Sequence, residues 1–148
     1  MNVSVFPIVT GADNPILRQK TRTIPAVTKK TLKLIEDMKD SMAEAKGVGL
    51  AAPQIGSNLR VCLAYINEKI VPLINPVIVH KSKETVIDEE GCLSLPKIWI
   101  KVPRAVEITL RYTDEKGKPQ ERKLQNFDAR VVQHEVDHLE GVLIVDYK

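Results

Sequence analysis

The sequence predicts an α+β fold, in which mixed or antiparallel strands pack around a central helix late in the chain, with one amphipathic N-terminal helix. Segments of strand periodicity fill the middle of the chain, and two helical segments flank them without the alternation of a parallel α/β sheet. The 148 residues contain no repeat, low-complexity tract or linker. We therefore expect a single domain over residues 1–148.

Two helices are predicted from residue spacing and from the residues at their ends. The first covers Thr28–Lys46, with Thr28 as N-cap and Gly47 as the stop. Its apolar face comprises Leu34, Ile35, Met38, Met42 and Ala45. The second covers Ala129–Leu139, with Asp128 as N-cap and a glycine two residues beyond its end.

The segment after the first helix is predicted to be a loop followed by strands. Gly47–Gly56 carries too many glycines and prolines for a helix, so we expect an extended loop. Strands follow at Arg60–Ile66 and Leu73–His80. Asn75–Pro76 interrupts the second of these, which indicates an edge strand or a bulge.

Two longer strands and a short terminal one complete the prediction. Ala105–Thr113 alternates between apolar and polar side chains, as a half-buried strand does. Asp114–Gly117 supplies a turn into a returning strand at Glu121–Leu124. The apolar segment Val142–Val145 is predicted to be a short final strand.

Composition excludes several classes of protein. The net charge of +3 comes from scattered side chains, so no direct nucleic-acid site is evident. Met1–Pro7 lacks the features of a secretory signal, and no apolar run is long enough to span a membrane. There are two cysteines, Cys62 in an apolar run and Cys92. A reducing, cytoplasmic location is the simplest interpretation.

The strongest chemical signal is the sequence His134-Glu135-Val136-Asp137-His138 on the second helix. Residues four apart lie on one face of a helix, so both imidazoles can reach one metal ion. Glu135 can reach a water on that ion, as in metal-dependent hydrolases. Two unconnected surface histidines are the alternative, but the chain has only three histidines. The helix is therefore predicted to bear a metal ion.

A catalytic ion of this kind usually takes a third protein ligand and leaves one position open. Downstream of His138 only Glu140 and Asp146 could serve, and Glu140 lies about 200° round the helix and faces away. The third ligand must then lie upstream, at His80 or Cys92. Cys92 is favoured because it lies in Glu90-Gly91-Cys92-Leu93-Ser94-Leu95-Pro96, which predicts a close-packed turn, and because thiolate binds zinc and ferrous iron strongly. A buried, inert cysteine is the alternative.

Three stretches together resemble the peptide deformylase family. They occur in the family's order and with about its spacing: Gly47-Val48-Gly49-Leu50-Ala51-Ala52-Pro53-Gln54, Glu90-Gly91-Cys92-Leu93-Ser94, and Gln133-His134-Glu135-Val136-Asp137-His138-Leu139. The similarity extends to Asn14–Arg18 and Val102–Arg104, so it covers nearly the whole chain. The resemblance implies removal of the formyl group from N-formylmethionyl peptides and nascent chains, with release of formate.

The resemblance also implies a ligand set and a metal. It carries Cys92, His134 and His138 over as the ligands of one divalent ion. Ferrous iron is implied as the native metal, with zinc, nickel or cobalt able to occupy the site. It further implies that Glu135 is the acid/base and that Gln54 donates to the oxyanion.

Further roles follow from the same resemblance and from position on the helix. The backbone N–H of Leu93 is implied as a second oxyanion donor, and Gly49 as a main-chain anchor for the substrate. Val131 shares the face of the first histidine, and with Val48 it is expected to line an apolar pocket for the methionine side chain. Arg130 departs from the family, which commonly has an apolar residue there; its alkyl stem is expected to line the pocket.

Two other functions share these residues. The chain could be another metallohydrolase acting on small amides or peptides, although the missing downstream ligand argues against a peptidase. It could also be a binding protein with a structural zinc site in which His80 is the fourth ligand, but Glu135 and Gln54 would then have no role. The sequence stops at Lys148, before the C-terminal helix that is implicated in ribosome docking in some relatives, so a ribosome contact of that type is not carried over and another kind of contact stays open.

Overall fold

Residues 5–148, which the computed structural model describes, form an α+β fold with two antiparallel sheets. The helices are α1 (Pro15–Arg18), α2 (Lys29–Ala45) and α3 (Asn126–Leu139), with 3₁₀ helices at Ala52–Ile55 and Ile144–Tyr147. The strands are β1 (Gly49–Ala51), β2 (Val61–Ile66), β3 (Lys69–Lys81), β4 (Thr85–Cys92), β5 (Leu95–Ala105), β6 (Glu107–Thr113) and β7 (Pro119–Gln125). Residues 1–4 of the segment predicted not to be a secretory signal lie outside the described residues.

The larger sheet has five strands in the order β1-β2-β3-β6-β7, and β4 and β5 form a separate two-stranded hairpin. Every strand pair is antiparallel. In β6 the predicted alternation is confirmed, because Ile108 and Leu110 are fully buried while Arg111 is exposed. Each fully buried aliphatic side chain of this kind stabilises the fold by ~1.5–3 kcal/mol.

Helix α2 begins as predicted. Thr28 Oγ1 accepts the Thr31 backbone N–H, and Thr31 Oγ1 accepts that of Thr28, so the two residues cap the helix reciprocally. The helix ends at Ala45, and Lys46 is the C-cap in a left-handed conformation (φ 57°), one residue before the predicted stop at Gly47. Gly47 packs closely against Leu93, because a Cβ there would lie 3.1 Å from the Leu93 side chain.

Helix α3 lies between the two sheets and contacts strands of both. It begins at Asn126, three residues before the predicted start, and Gln125 occupies the N-cap position. The prediction of Asp128 as N-cap is wrong, because Asp128 lies in the first turn and accepts the Asn67 backbone N–H. The apolar face of α3 is buried in the main core: Ala129, Val131, Val132, Val136 and Leu139.

The C-terminal prediction is also wrong. Val142–Val145 is not a strand, and a 3₁₀ helix covers Ile144–Tyr147. Leu143 and Ile144 bury their side chains beside Leu17, so these apolar residues contribute to a hydrophobic cluster and do not form a strand. A four-residue apolar run does not by itself distinguish a strand from a buried turn of helix.

Other segments differ from prediction in detail. The expected loop Gly47–Gly56 contains β1 and a 3₁₀ helix. Strand β3 does carry the predicted bulge, between Ile74 and Val77, but it lies inside the sheet between β2 and β6 and not at an edge. Helix α1 and the β4–β5 hairpin were not predicted, so α2 is not the single N-terminal helix. Among the described helices, none is long and apolar enough to cross a membrane.

Gly141, just after α3, packs against the backbone of Arg18 in the N-terminal segment. Its φ is +77°, and a Cβ there would collide with the backbone carbonyl of Arg18. Arg18 Nη1 in turn donates to the Gly141 carbonyl and forms an ion pair with Asp146 at 2.6 Å. This contact fixes the N-terminal segment against the segment that follows α3.

We predict that Gly141→Ala lowers the free energy of unfolding by more than ~2 kcal/mol, because it combines a left-handed alanine with a backbone collision. Gly117 has a similar φ of +80° with open space around it, so Gly117→Ala should cost only about 1 kcal/mol. Urea denaturation of both variants measures the difference. Equal destabilisation would show that the contact with Arg18 contributes nothing.

Candidate metal centre and cleft

The β4–β5 hairpin carries Cys92 to helix α3. Cys92 pairs with Leu95 across a two-residue turn at the end of the hairpin. The predicted close packing is present at Gly91, where a Cβ would lie 2.6 Å from the Trp99 ring. A side chain at Gly91 would therefore push Trp99 away or move the turn that positions the thiol.

Cys92, His134 and His138 meet at one point. The candidate ligand atoms of the three residues all lie within 4.8 Å of one another, and Cys92 Sγ is 3.3 Å from His138 Nε2. Two ligands of a tetrahedral ion with metal–sulfur and metal–nitrogen bonds of normal length are about 3.6 Å apart. The donor set and its spacing therefore fit a divalent transition-metal ion.

His80, the alternative third ligand, does not join this group. It lies exposed on β3, and the group of metal-binding candidates found among residues 5–148 contains only Cys92, His134 and His138. A structural zinc site is normally closed by four protein ligands. Three ligands beside a cleft are the arrangement of a catalytic site.

Glu90 fixes the orientation of His134. Glu90 Oε1 lies 2.9 Å from His134 Nδ1 and accepts its N–H as a carboxylate oxygen, so Nε2 is the nitrogen that would bind a metal ion. Arg104 donates to both Glu90 oxygens at 2.9 Å, and Arg130 donates to Oε2 at 2.6 Å. Burial alone would raise the pKa of Glu90, but the hydrogen bonds from Arg104 and His134 outweigh it and lower the pKa to about 2.

Arg104 is itself held from the far side. Asp137, inside the histidine motif, accepts from Arg104 at 2.6 Å and from the Tyr147 hydroxyl at 2.6 Å. The Arg104 guanidinium also lies 4.9 Å from the Tyr147 ring centroid. Burial and the hydrogen bond to Asp137 raise the pKa of Tyr147 to about 12, so the hydroxyl stays a donor. A continuous network thus runs from the C-terminal 3₁₀ helix to His134.

Glu135 is buried at the floor of the cleft. Its side chain passes directly beneath Gly49, where a Cβ would lie 2.5 Å from Glu135 Oε2. Within the described residues, Glu135 Oε1 has no hydrogen-bond partner. Burial raises the pKa of Glu135 to about 7. A carboxyl group whose pKa lies near neutrality can both accept and release a proton.

Gln54 lies against the cysteine turn. Its Oε1 accepts the Ala51 backbone N–H at 2.9 Å, which leaves its amide nitrogen directed toward the site. That nitrogen donates to Ser94 Oγ at 3.1 Å and lies 3.9 Å from Cys92 Sγ. The side chain is buried and held at both ends, so a donor is fixed next to the metal-ligand group.

A cavity of about 430 Å³ opens beside these residues. The structure brings all three predicted substrate-binding residues and all three predicted catalytic residues to its wall: Val48, Gly49, Val131, Gln54, Leu93 and Glu135. Cys92 and His134 also line it, whereas His138 is buried behind them. Trp99 and Phe127 stand exposed at its mouth.

Sequence reasoning gave no role to Glu90, Arg104 or Asp137, although all three lie in quoted motifs. A general rule could have indicated Glu90: a histidine that binds a metal ion through one ring nitrogen needs a hydrogen-bond acceptor for the N–H of the other nitrogen. Glu90 lies two residues before the predicted cysteine ligand, so it was the nearest upstream candidate. Its two arginine partners could not be identified without the fold.

Comparison with known proteins agrees with this arrangement. A sequence model of the family described as polypeptide deformylase matches residues 5–148. The chain belongs to the peptide deformylase family. A peptide deformylase of Pseudothermotoga lettingae is 45% identical over 133 residues, which cover 90% of this chain and 77% of that protein. A peptide deformylase of Rickettsia prowazekii is 44% identical, and the matched region covers 98% of this chain and 88% of that protein.

Solved structures of the family have the same fold. The structure of a class I type b peptide deformylase from Acinetobacter baumannii bound to Met-Ala-Ser superposes with a TM-score of 0.94, at 32% identity, and covers 99% of this chain and 100% of that one. The peptide deformylase of Thermotoga maritima gives 0.92 at 38% identity, with 97% of each chain covered. The antiparallel α+β architecture is therefore that of peptide deformylases, which are metal-dependent hydrolases.

The position of Glu90 generates a prediction about metal affinity. Glu90→Gln keeps the size of the side chain but removes the charge that three donors share, so His134 is held less firmly. We expect affinity for Zn²⁺ or Co²⁺ to fall about 10–100-fold. Competition against a chromogenic chelator measures it. Glu89→Gln, at the exposed neighbouring position, is the matched control and should bind as the unmodified protein does. An unchanged affinity in Glu90→Gln would contradict the orienting role.

Proposed function

We propose that this chain removes the formyl group from the N-terminus of N-formylmethionyl peptides and nascent chains by hydrolysis, releasing formate. The observation that carries the proposal is the meeting of the cysteine thiol with both motif histidines beside a cleft whose floor holds Glu135. The family assignment supports amide hydrolysis of this kind over a general peptidase or a structural zinc protein. We further propose that residues 1–148 form a single catalytic domain.

Cys92, His134 and His138 would hold one divalent ion, with ferrous iron as the native metal and zinc, nickel or cobalt as alternatives. A Cys/His₂ set suits all of these metals. When bound, such an ion polarises the formyl carbonyl and lowers the pKa of water so that hydroxide is available near neutral pH. The thiolate would supply negative charge to the set, and the hydrogen bond between Glu90 and His134 Nδ1 would leave Nε2 to bind the ion.

Glu135 is proposed to move the proton. It takes a proton from the attacking water and later delivers it to the amine that leaves, so a single carboxyl group serves both halves of the reaction. Its burial supports this role, because the buried carboxyl has a pKa near 7 and changes protonation state readily at neutral pH. The carboxyl group is confined beneath Gly49 and lines the cleft beside the candidate ligands.

Gln54 and the Leu93 backbone N–H are proposed to stabilise the negative charge that develops on the formyl oxygen. A preorganised donor of this kind contributes ~3 kcal/mol to the transition state. The two hydrogen bonds of Gln54, from Ala51 and to Ser94, support preorganisation since they fix the amide before substrate arrives. Leu93 lies directly after Cys92, at the same turn of the β4–β5 hairpin.

Binding is proposed to use the apolar wall and the strand edge of the cleft. Val48 and Val131 contact the methionine side chain, and the backbone of Gly49 anchors the peptide beyond it. The A. baumannii relative binds Met-Ala-Ser, a peptide of the deformylated type, which supports a methionyl peptide as the ligand. Because nascent chains are the proposed substrate, we propose that the enzyme acts beside the ribosome in the cytoplasm.

The proton-transfer role is tested by Glu135→Gln. We predict that formate release from formyl-Met-Ala-Ser falls by ~10²–10⁴-fold, while metal content remains that of the unmodified protein, because Glu135 is not a ligand. A formate dehydrogenase assay and metal analysis of anaerobically purified protein measure the two quantities. Glu121→Gln, at an exposed position on β7, is the control. Full activity in Glu135→Gln, or cleavage of the peptide backbone by the unmodified protein, would contradict the proposed function.

A further inference from the structure

The side chain of Tyr147 connects the 3₁₀ helix Ile144–Tyr147 to helix α3. Its hydroxyl donates to Asp137 Oδ2 at 2.6 Å and accepts from Arg104 Nη1 at 3.2 Å. Arg104 Nη1 also donates to Asp137 Oδ2, at 2.6 Å, so the three side chains form a closed set of hydrogen bonds. The 3₁₀ helix packs on both strands of the β4–β5 hairpin. Tyr147 therefore contacts the hairpin and the helix that carries the two motif histidines.

The Arg104 guanidinium extends this contact toward the metal-ligand group. A guanidinium is planar and its N–H directions are fixed, so the partners on one edge set the direction of the other edge. Nη1 faces Tyr147 and Asp137, while Nε and Nη2 donate to Glu90, each at 2.9 Å. The Arg104 side chain is only 4% exposed and that of Glu90 only 7%, so water does not readily replace a partner that is lost.

A single oxygen of Glu90 completes the connection. Oε1 accepts from Arg104 Nη2 and from His134 Nδ1, so a rotation of the guanidinium would move the carboxylate that holds the His134 ring. The Asp137 side chain is 21% exposed. Without the Tyr147 hydroxyl it would be free to turn toward water, and the guanidinium would then be held firmly from the Glu90 side alone.

We infer that Tyr147 is a positioning residue of the metal centre. Its hydroxyl fixes the direction of the His134 ring through the connected side chains of Asp137, Arg104 and Glu90. A bound ion and the docked 3₁₀ helix therefore stabilise each other, because coupling between two sites is reciprocal. The inference rests on the proposed function only through the three proposed metal ligands, since it requires metal binding but no hydrolysis.

The first experiment removes the hydroxyl. Zn²⁺ affinity is measured by competition against a chromogenic chelator in Tyr147→Phe, which keeps the aromatic ring. Loss of a direct partner of a metal-binding histidine lowers affinity ~10–100-fold, and Tyr147 acts through three further side chains, so we expect a loss of about three- to tenfold. Tyr112→Phe, the same change on β6 outside this network, should bind Zn²⁺ as the unmodified protein does. An unchanged affinity in Tyr147→Phe would overturn the inference.

A double variant separates positioning from a purely structural role. In Glu90→Gln the connection between Arg104 and His134 is already weakened, so adding Tyr147→Phe should change Zn²⁺ affinity by less than about twofold. A tyrosine that only stabilised the fold would lower the affinity by the same factor with and without Glu90→Gln. That additive result would overturn the inference.

Hydrogen exchange supplies a test that does not need the double variant to fold. The Asp146 amide donates to the Leu143 carbonyl, so its exchange reports opening of the 3₁₀ helix. We expect Zn²⁺ to slow this exchange by about three- to tenfold in the unmodified protein, by reciprocity with the change in affinity, and to slow it less in Tyr147→Phe. The Gly117 amide, in the turn between β6 and β7, is the control and should not respond to Zn²⁺. Equal slowing at Asp146 in the two proteins would overturn the inference.

Failure of the proposed function gives a different result. The zinc-loaded unmodified protein would then release no formate from formyl-Met-Ala-Ser, while the difference in Zn²⁺ affinity between it and Tyr147→Phe would remain. If the ligand set itself is wrong, Cys92→Ser will bind Zn²⁺ as tightly as the unmodified protein, and the inference is overturned with it.

Discussion

One buried carboxylate, Glu90, connects the hairpin that carries the cysteine ligand to the helix that carries both histidine ligands. It lies on the β4–β5 hairpin two residues before Cys92, and it accepts hydrogen bonds from His134 and Arg130 on helix α3. Arg104 adds a bidentate pair from the other strand of the hairpin. Breaking a buried, multiply bonded ion pair costs ~3–5 kcal/mol, so hairpin and helix are held in one relative position. The thiol and the imidazoles keep their distances for this reason.

The elements predicted from the sequence are those whose pattern reflects a single buried face. Helix α2 follows from its apolar stripe and from Thr28, and β6 follows from its alternation, because each packs one side on the core. The β4–β5 hairpin gives no such pattern. Most of β4, from Thr85 to Glu89, is exposed on both faces, so β4 has no buried face to detect, and two prolines lie within β5. These strands are specified by their pairing and by the ion-pair network.

In the site, too, some residues could be predicted from local sequence and others could not. His134 and His138 could be assigned from helical geometry alone, and Gln54 from resemblance, because both kinds of information are local in sequence. The connection of Glu90 to Arg104 and Arg130 spans 14 and 40 residues, and no local pattern reports it. Arg130 was recognised as a departure from the family, but its hydrogen bonds to the Val86 and Val102 carbonyls exist only in the folded chain.

The proposed activity requires a cysteine sulfur and two imidazoles to share one ion, and X-ray absorption spectroscopy of the zinc-loaded protein tests this most directly. One sulfur at about 2.3 Å and two nitrogens at about 2.0–2.1 Å are predicted, with a light-atom ligand from solvent completing the set. The sulfur contribution should vanish in Cys92→Ser and persist in Cys62→Ser, whose side chain is buried in the main core. A spectrum without sulfur, or with a third imidazole, would contradict the account.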